Sequence, residues 1–237
     1  MIALRRAQER HHEKRRTHES WLTFPVEGGA PLEEGFGALE FLEEYSISPA
    51  ARVVRRARRD SEHITYVHAG SLTQEDSSGA TTVMQAGEFR RAAGGRGVRY
   101  SQVNPSATDP THVIQASLRA SQVGLSLEGE QRRFSVAERR NGLCVVASLD
   151  GRGGSLRLHQ AALVHSALLD RGRHLAYELP AGRSAWLHVL CGELTLDGLL
   201  LTAGDGAGLQ DEPAVSFTAT GETEVLLLDV SQRGATC

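Results

Sequence analysis

Two stretches of this chain follow one plan. Residues 66–89 read YVHAGSLTQEDSSGATTVMQAGEF, and residues 188–209 read HVLCGELTLDGLLLTAGDGAGL. Each holds a strand, a glycine, a second strand, a polar turn, a third strand and a glycine–acid pair, Gly87-Glu88 in one and Gly204-Asp205 in the other. The copies lie about 120 residues apart, the mark of a duplicated unit rather than of one long sheet. Within each copy, turn residues recur about every ten positions between short runs of strand-forming residues, which is the grammar of an all-β sandwich or barrel. The Asp197-Gly198 pair predicts a tight hairpin, and Asp76–Gly79 a turn by its composition. The run TEVLLLDV (223–230) predicts an apolar strand that closes a core. The stretch 159–172, HQAALVHSALLDRG, has a superficial helical look, but its flanks favour a strand. The polar segment 128–142 reads as the crossover between halves.

The remaining bulk properties mainly exclude. The 237 residues suffice for two small domains with real cores. A net charge of -3 gives no general attraction to nucleic acid or to an anionic membrane. No apolar run is long enough to span a bilayer, and the first residues lack the apolar core of a secretory signal. Cys144, Cys191 and Cys237 are too far apart for a metal-binding CxxC pair and too few for a disulfide framework. The expectation is a cytoplasmic chain with reduced thiols, no membrane partner and no nucleic-acid partner, most simply monomeric. AAGGRGV (92–98) lacks a phosphate-loop pattern and reads as a turn.

Four arginines crowd residues 55–59, in VVRRARRDSE (53–62). Their meaning depends on a resemblance. The segments RRAQERHH and ESWLTF near the N-terminus, DSEHITYVHAGSLTQEDSSG, AGEFRRAAGGRGVRYSQVNPS, EQRRF and GSLRLHQ together resemble pirin-like proteins, in order and spacing, over nearly the whole chain. That resemblance implies a bicupin, two tandem jelly-roll β-barrels, with the N-terminal barrel expected over 1–130 and the C-terminal one over 131–237. It also implies one metal ion, commonly iron, in the N-terminal barrel of active members, held by an H-x-H and an H-x-E segment; some members oxidise flavonols, and the vertebrate one is described as a transcription cofactor.

Anchored on DSEHITYV and on NPS, the H-x-H positions fall on Arg56 and Arg58, and the H-x-E positions on Tyr100 and Gln102. Guanidinium offers a metal no lone pair, and a phenol is a poor ligand while protonated. The expectation is therefore a barrel without metal or other cofactor and without dioxygenase activity. Arg56, Arg58, Tyr100 and Gln102 would line a pocket for a small anionic or phenolic molecule, with Glu62 as an ion-pair partner by strand parity. The chain would then be a ligand-binding or regulatory protein. The alternatives are a metal-dependent flavonol dioxygenase, taking iron, or another cupin oxidoreductase, and a protein-binding transcription cofactor. A basic rim built from Arg55, Arg59, Arg90, Arg91, Arg96 and Arg99 is the weaker nucleic-acid reading. No histidine pair suggests a second ligand set.

Overall fold

The computed structural model describes residues 1–24, 32, 35–57, 60–76, 79–93, 97, 99–119 and 129–232. In the first half the strands are β1 (Ile2–Arg5), β2 (His11–Lys14), β3 (His18–Leu22), β4 (Leu39–Ile47), β5 (Arg52–Arg56), β6 (Ser61–Ala69), β7 (Ser71–Asp76), β8 (Thr81–Gln85), β9 (Glu88–Ala93), β10 (Arg99–Val103), β11 (Thr111–Arg119) and β12 (Gly129–Arg133). After a one-turn helix α1 (Val136–Arg139) come β13 (Cys144–Ser148), β14 (Leu156–Arg157), β15 (Leu163–Leu169), β16 (His174–Glu178), β17 (Arg183–Cys191), β18 (Glu193–Leu196), β19 (Leu199–Thr202), β20 (Gly206–Gln210), β21 (Ala214–Ala219) and β22 (Thr223–Ser231).

These strands build two jelly rolls, as the duplicated pattern predicts. In the N-terminal one, the sheet β12-β9-β6-β11-β4-β3-β2 is backed by β5-β10-β7-β8; in the other, β1-β20-β17-β22-β15-β13-β14 is backed by β16-β21-β18-β19. The expected division at residue 130 misses two exchanges. β1 pairs with β20 and so belongs to the C-terminal sheet, and β12 pairs with β9 of the N-terminal sheet to its end at Arg133. The crossover is completed by α1, whose start is fixed by a reciprocal box: Ser135 Oγ accepts from the Glu138 amide, and Glu138 Oε2 accepts from the Ser135 amide.

Local chemistry explains the turns. Asp197 and Gly198 both have positive φ, 47° and 77°, as a hairpin turn matched to strand twist requires. Gly192 has φ 77°, and a Cβ there would lie 2.0 Å from the Glu222 carbonyl oxygen, so the strand break before β18 needs a glycine twice over. The 159–172 stretch is strand, as its flanks imply, with β15 between β13 and β22.

The two large sheets face each other. Between them lies an apolar core drawn from both rolls, including Tyr66, Phe89, Phe134, Trp186, Leu226 and Leu228. β6, β4 and β11 are therefore covered on both faces. One parity (Phe41, Glu43 and Tyr45; His63 and Thr65; Gln115) faces the N-terminal roll's interior, and the other (Glu44; Glu62, Tyr66 and His68; His112) faces the C-terminal roll. Two-sided cover is why β6 is buried along nearly its whole length although half of its residues are polar. Among the described residues, no helix is long and apolar enough to cross a membrane.

Candidate functional site

The N-terminal roll is hollow at one end. A cavity of about 340 Å³ is lined by His18, Phe41, Glu43, Arg55, His63, Tyr100 and Gln115, among others. A smaller one of about 50 Å³ continues past Thr65, Gln74 and Arg90. Arg55 organises the wall. Its guanidinium lies 3.7 Å from the Tyr45 ring centroid, and its Nη1 donates to Glu43 Oε2 at 2.5 Å. Its Nε and Nη2 are buried with no hydrogen-bond partner among the described residues. The Tyr45 hydroxyl donates to Gln102 Oε1 at 2.9 Å. The Tyr100 hydroxyl accepts from Gln115 Nε2 at 2.9 Å. Burial pushes both phenols above their ordinary range, so they remain protonated donors at neutral pH. His18 is pushed below the ordinary imidazole value, first by burial and then by the Arg55 charge. Its Nδ1 meets the Thr17 hydroxyl at 3.1 Å.

The predicted site residues do not all meet here. Tyr100 and Gln102 are buried and point inward. Arg56 lines the cavity mouth but is exposed. Arg58 lies outside the described residues. The β5–β10 register shows the reason: Arg55 is paired with Tyr100 and Val53 with Gln102, whereas Arg56 is opposite Arg99. Directly paired residues share a face, so the inward arginine is Arg55. Val53, paired with Gln102, is buried on the same face. Glu62 is a correction. The chain bends at Asp60, φ 48°, between Arg58 and Glu62, which interrupts the parity count from Arg58. Glu62 turns toward the C-terminal roll, where its carboxylate accepts from the backbone amides of His159 and Gln160 at 2.8 to 3.0 Å and lies 3.5 Å from Arg91. Of the arginines of the expected basic rim, Arg55 lines the cavity and Arg91 is buried, while Arg59 and Arg96 lie outside the described residues.

A match to the Pirin family covers residues 7–117, and one to the quercetinase C-terminal cupin domain covers 145–230. The chain is 33% identical over 231 residues to the quercetin 2,3-dioxygenase of Escherichia coli strain K12, spanning 97% of this chain and 99% of that one. This chain belongs to the pirin family. The bacterial pirin YhhW of Escherichia coli, solved in complex with nickel(II), superposes with a TM-score of 0.89 over 98% of this chain and 100% of that one, at 33% identity. A quercetin 2,3-dioxygenase from Acinetobacter baumannii shares the fold, with a TM-score of 0.75 at 17% identity over 94% of this chain and 84% of that one.

For a pirin, the described residues at the positions expected to hold metal fit an ion poorly. The Gln102 and Tyr100 oxygens are already engaged with Tyr45 and Gln115, and the adjacent wall carries the Arg55 cation. The broader expectation of a pirin without any cofactor is nevertheless corrected. A relative this similar over its full length was solved with nickel(II), and among the described residues a second donor set exists. His68, Cys191 and Glu224 bring one ligand atom each within 4.8 Å of one another. The sequence reading missed them because β6, β17 and β22 are separate in the chain and the cysteines were judged by their spacing to one another alone; Cys191 is exposed. His68 Nε2 is 3.1 Å from Glu224 Oε2. Glu224 Oε1 accepts from the Tyr66 hydroxyl at 2.6 Å and from Arg139 at 3.0 Å. Hydrogen bonds to Cys191 and Glu224 raise the His68 pKa to about 9. Beside this set, Glu44 binds Arg10 Nη1 at 2.5 Å, His188 Nε2 at 2.7 Å and His112 Nε2 at 3.4 Å.

Proposed function

We propose that this pirin is a quercetinase-type cupin oxidoreductase that takes a flavonol or a similar planar phenol, as its anion, into the N-terminal roll. The observation that carries the reading is the Arg55 guanidinium on the cavity wall, with one edge committed to Glu43 and the other, Nε and Nη2, committed to no described partner. A guanidinium edge suits an anionic oxygen, and leaving buried N–H groups without an acceptor is costly. The cavity volume of about 340 Å³ lies in the range of small-molecule sites. Phe41 and Tyr100 supply ring surface for a flat ligand. The relatives named quercetin 2,3-dioxygenase point to the same substrate class and favour oxidoreductase chemistry over a purely regulatory role.

In this reading His18 takes the phenolic proton. Burial and the Arg55 charge disfavour its imidazolium form, and in the tautomer whose Nδ1–H donates to the Thr17 hydroxyl, Nε2 is the accepting atom. Arg55 then holds the phenolate, and Tyr100 orients a second oxygen through its hydroxyl. The test is quercetin turnover in an oxygen electrode, with protein purified without a histidine tag. One dioxygen consumed per flavonol, lost in the Arg55→Met/Glu43→Leu double variant while its melting temperature holds, supports the proposal. Absence of quercetin binding, or turnover undiminished in that variant, refutes it.

A further inference from the structure

The seam between the rolls carries a second centre, independent of the flavonol pocket. We propose that His68, Cys191 and Glu224 form a binding site for a divalent ion of the zinc class, with His112 and Glu44 as positioning residues.

The hydrogen-bond order of the seam carries the argument. Glu44 Oε2 faces His112 Nε2 at 3.4 Å. A carboxylate only accepts, so His112 Nε2 bears the proton, and in the neutral ring Nδ1 is the acceptor. His112 Nδ1 is 3.2 Å from His68 Nδ1, which must then be the donor. The same rule in the neutral His68 ring leaves Nε2 with a lone pair. That lone pair points at Glu224 Oε2, another acceptor, at 3.1 Å. Two acceptors facing each other at hydrogen-bond distance require a positive charge between them, either an extra proton on the imidazole or a metal ion. The Cys191 sulfur completes the set, its ligand atom within 4.8 Å of both others.

The backbone is shaped around this point. The β11–β6 ladder has a bulge between His112 and Val113, and the β17–β22 ladder has one between Val189 and Cys191, with Cys191 opposite Glu224. Bulges re-aim side chains beside functional sites, and here the two come from opposite rolls and serve one cluster. Tyr66 and Arg139 hold the other oxygen of Glu224, so that carboxylate is oriented and Oε2 is left for the ion. A surface opening of about 230 Å³ lined by Cys191, Glu222 and Glu224 gives access. Imidazole nitrogen, thiolate sulfur and carboxylate oxygen with a fourth position open to water is the donor chemistry of zinc(II), and a histidine whose other nitrogen is held by a further hydrogen bond is the usual supporting arrangement.

The probes are cobalt(II) and zinc(II), added to the full chain purified without a tag and stripped with a chelator. The expected result is one cobalt(II) per chain, with the near-ultraviolet thiolate-to-cobalt band and tetrahedral visible bands, both displaced by zinc(II). Cys191→Ser, a change at an exposed residue, should abolish the thiolate band and weaken binding at least tenfold while the melting temperature holds. His112→Gln should keep the band and weaken binding roughly ten- to a hundredfold. Gln102→Leu, in the N-terminal roll, should change neither. The site is overturned if cobalt(II) binds only in the millimolar range, if the thiolate band survives Cys191→Ser, or if Gln102→Leu removes the ion. Unchanged affinity in His112→Gln overturns the positioning role.

Discussion

The two jelly rolls share a plan and differ in what fills them. The inner face of β17 carries Ala185, Leu187 and Val189; at the matching positions β6 carries His63, Thr65 and Val67. Leu196 of β18 answers to Gln74 of β7. The C-terminal interior is closed by Leu187, Leu194, Leu196, Leu201, Leu209, Phe217 and Leu227. In the N-terminal roll the apolar cluster is short, Tyr45, Ile47, Val53, Val67, Leu72, Met84 and Val113, and polar side chains take the rest. Each Leu fully buried contributes about 1.5–3 kcal/mol. The C-terminal roll therefore anchors the molecule, and the N-terminal roll gives up part of that stabilisation to keep a cavity.

The sharpest test of that contrast is a pair of truncations at matching positions. Leu187→Ala should cost about 4 kcal/mol in chemical denaturation, because the filled interior cannot collapse around the void. Thr65→Ala should cost under about 1 kcal/mol, because it enlarges a space that already exists. Equal losses would mean that the rolls are packed alike.

The seam sets the next effect. Glu44 is deeply buried, which alone would raise its pKa, but hydrogen bonds from His112 and His188 and the Arg10 charge overcome that, holding the carboxyl well below the usual range. A carboxylate depressed in the folded state stabilises above the unfolded value, near 4.3, and that contribution is lost as pH falls below it. Glu44→Gln should cost about 3 kcal/mol at pH 7, since Arg10 is left buried without its partner. It should also flatten the loss of melting temperature below about pH 4.5. An acid limb as steep as in the parent chain would place the titrating group elsewhere.

These contrasts also show what the sequence could and could not reveal. The fold was legible because its signals are local: glycine at strand breaks, Asp197-Gly198 at a hairpin, and an unbroken apolar run in β22, which is covered on both faces. Tyr100 and Gln102, singled out by anchoring on NPS, are both buried on β10, and Tyr100 lines the cavity. Arg55 was not legible as a pocket residue, because the H-x-H positions were anchored on DSEHITYV and fell on Arg56 and Arg58, whereas the β5–β10 register turns Arg55 inward. His68, Cys191 and Glu224 were beyond reach for a different reason. Each looks ordinary in its own strand, and only the packing of one roll on the other brings them together.

A smaller effect separates structure from binding within the N-terminal wall. Arg55→Ala leaves Glu43 without its cation and should cost about 2 kcal/mol, reduced from a fully buried pair because both side chains keep some exposure, 14% and 10%. Arg55→Met with Glu43→Leu should recover most of that loss, since an apolar pair of similar volume replaces a buried ion pair at little net cost, while quercetin affinity, followed by absorbance titration, stays at least tenfold down. Recovered affinity in the double variant would remove Arg55 from the site.

The smallest expected change in stability tests the idea from the opposite direction. Gln74→Leu writes the residue of the filled roll, Leu196, into the hollow one. The Gln74 amide loses only a long contact, 3.5 Å from Gln102 Nε2, and the added apolar surface should stabilise the chain by about 1 kcal/mol. Because Gln74 lines the inner end of the cavity with Thr65 and Tyr100, the same change should weaken quercetin binding. A gain in melting temperature with a loss of affinity is the signature of a cavity maintained against packing. If Gln74→Leu destabilises instead, the polar wall is a satisfied hydrogen-bond network in its own right, and the difference between the two rolls is one of chemistry rather than of filling.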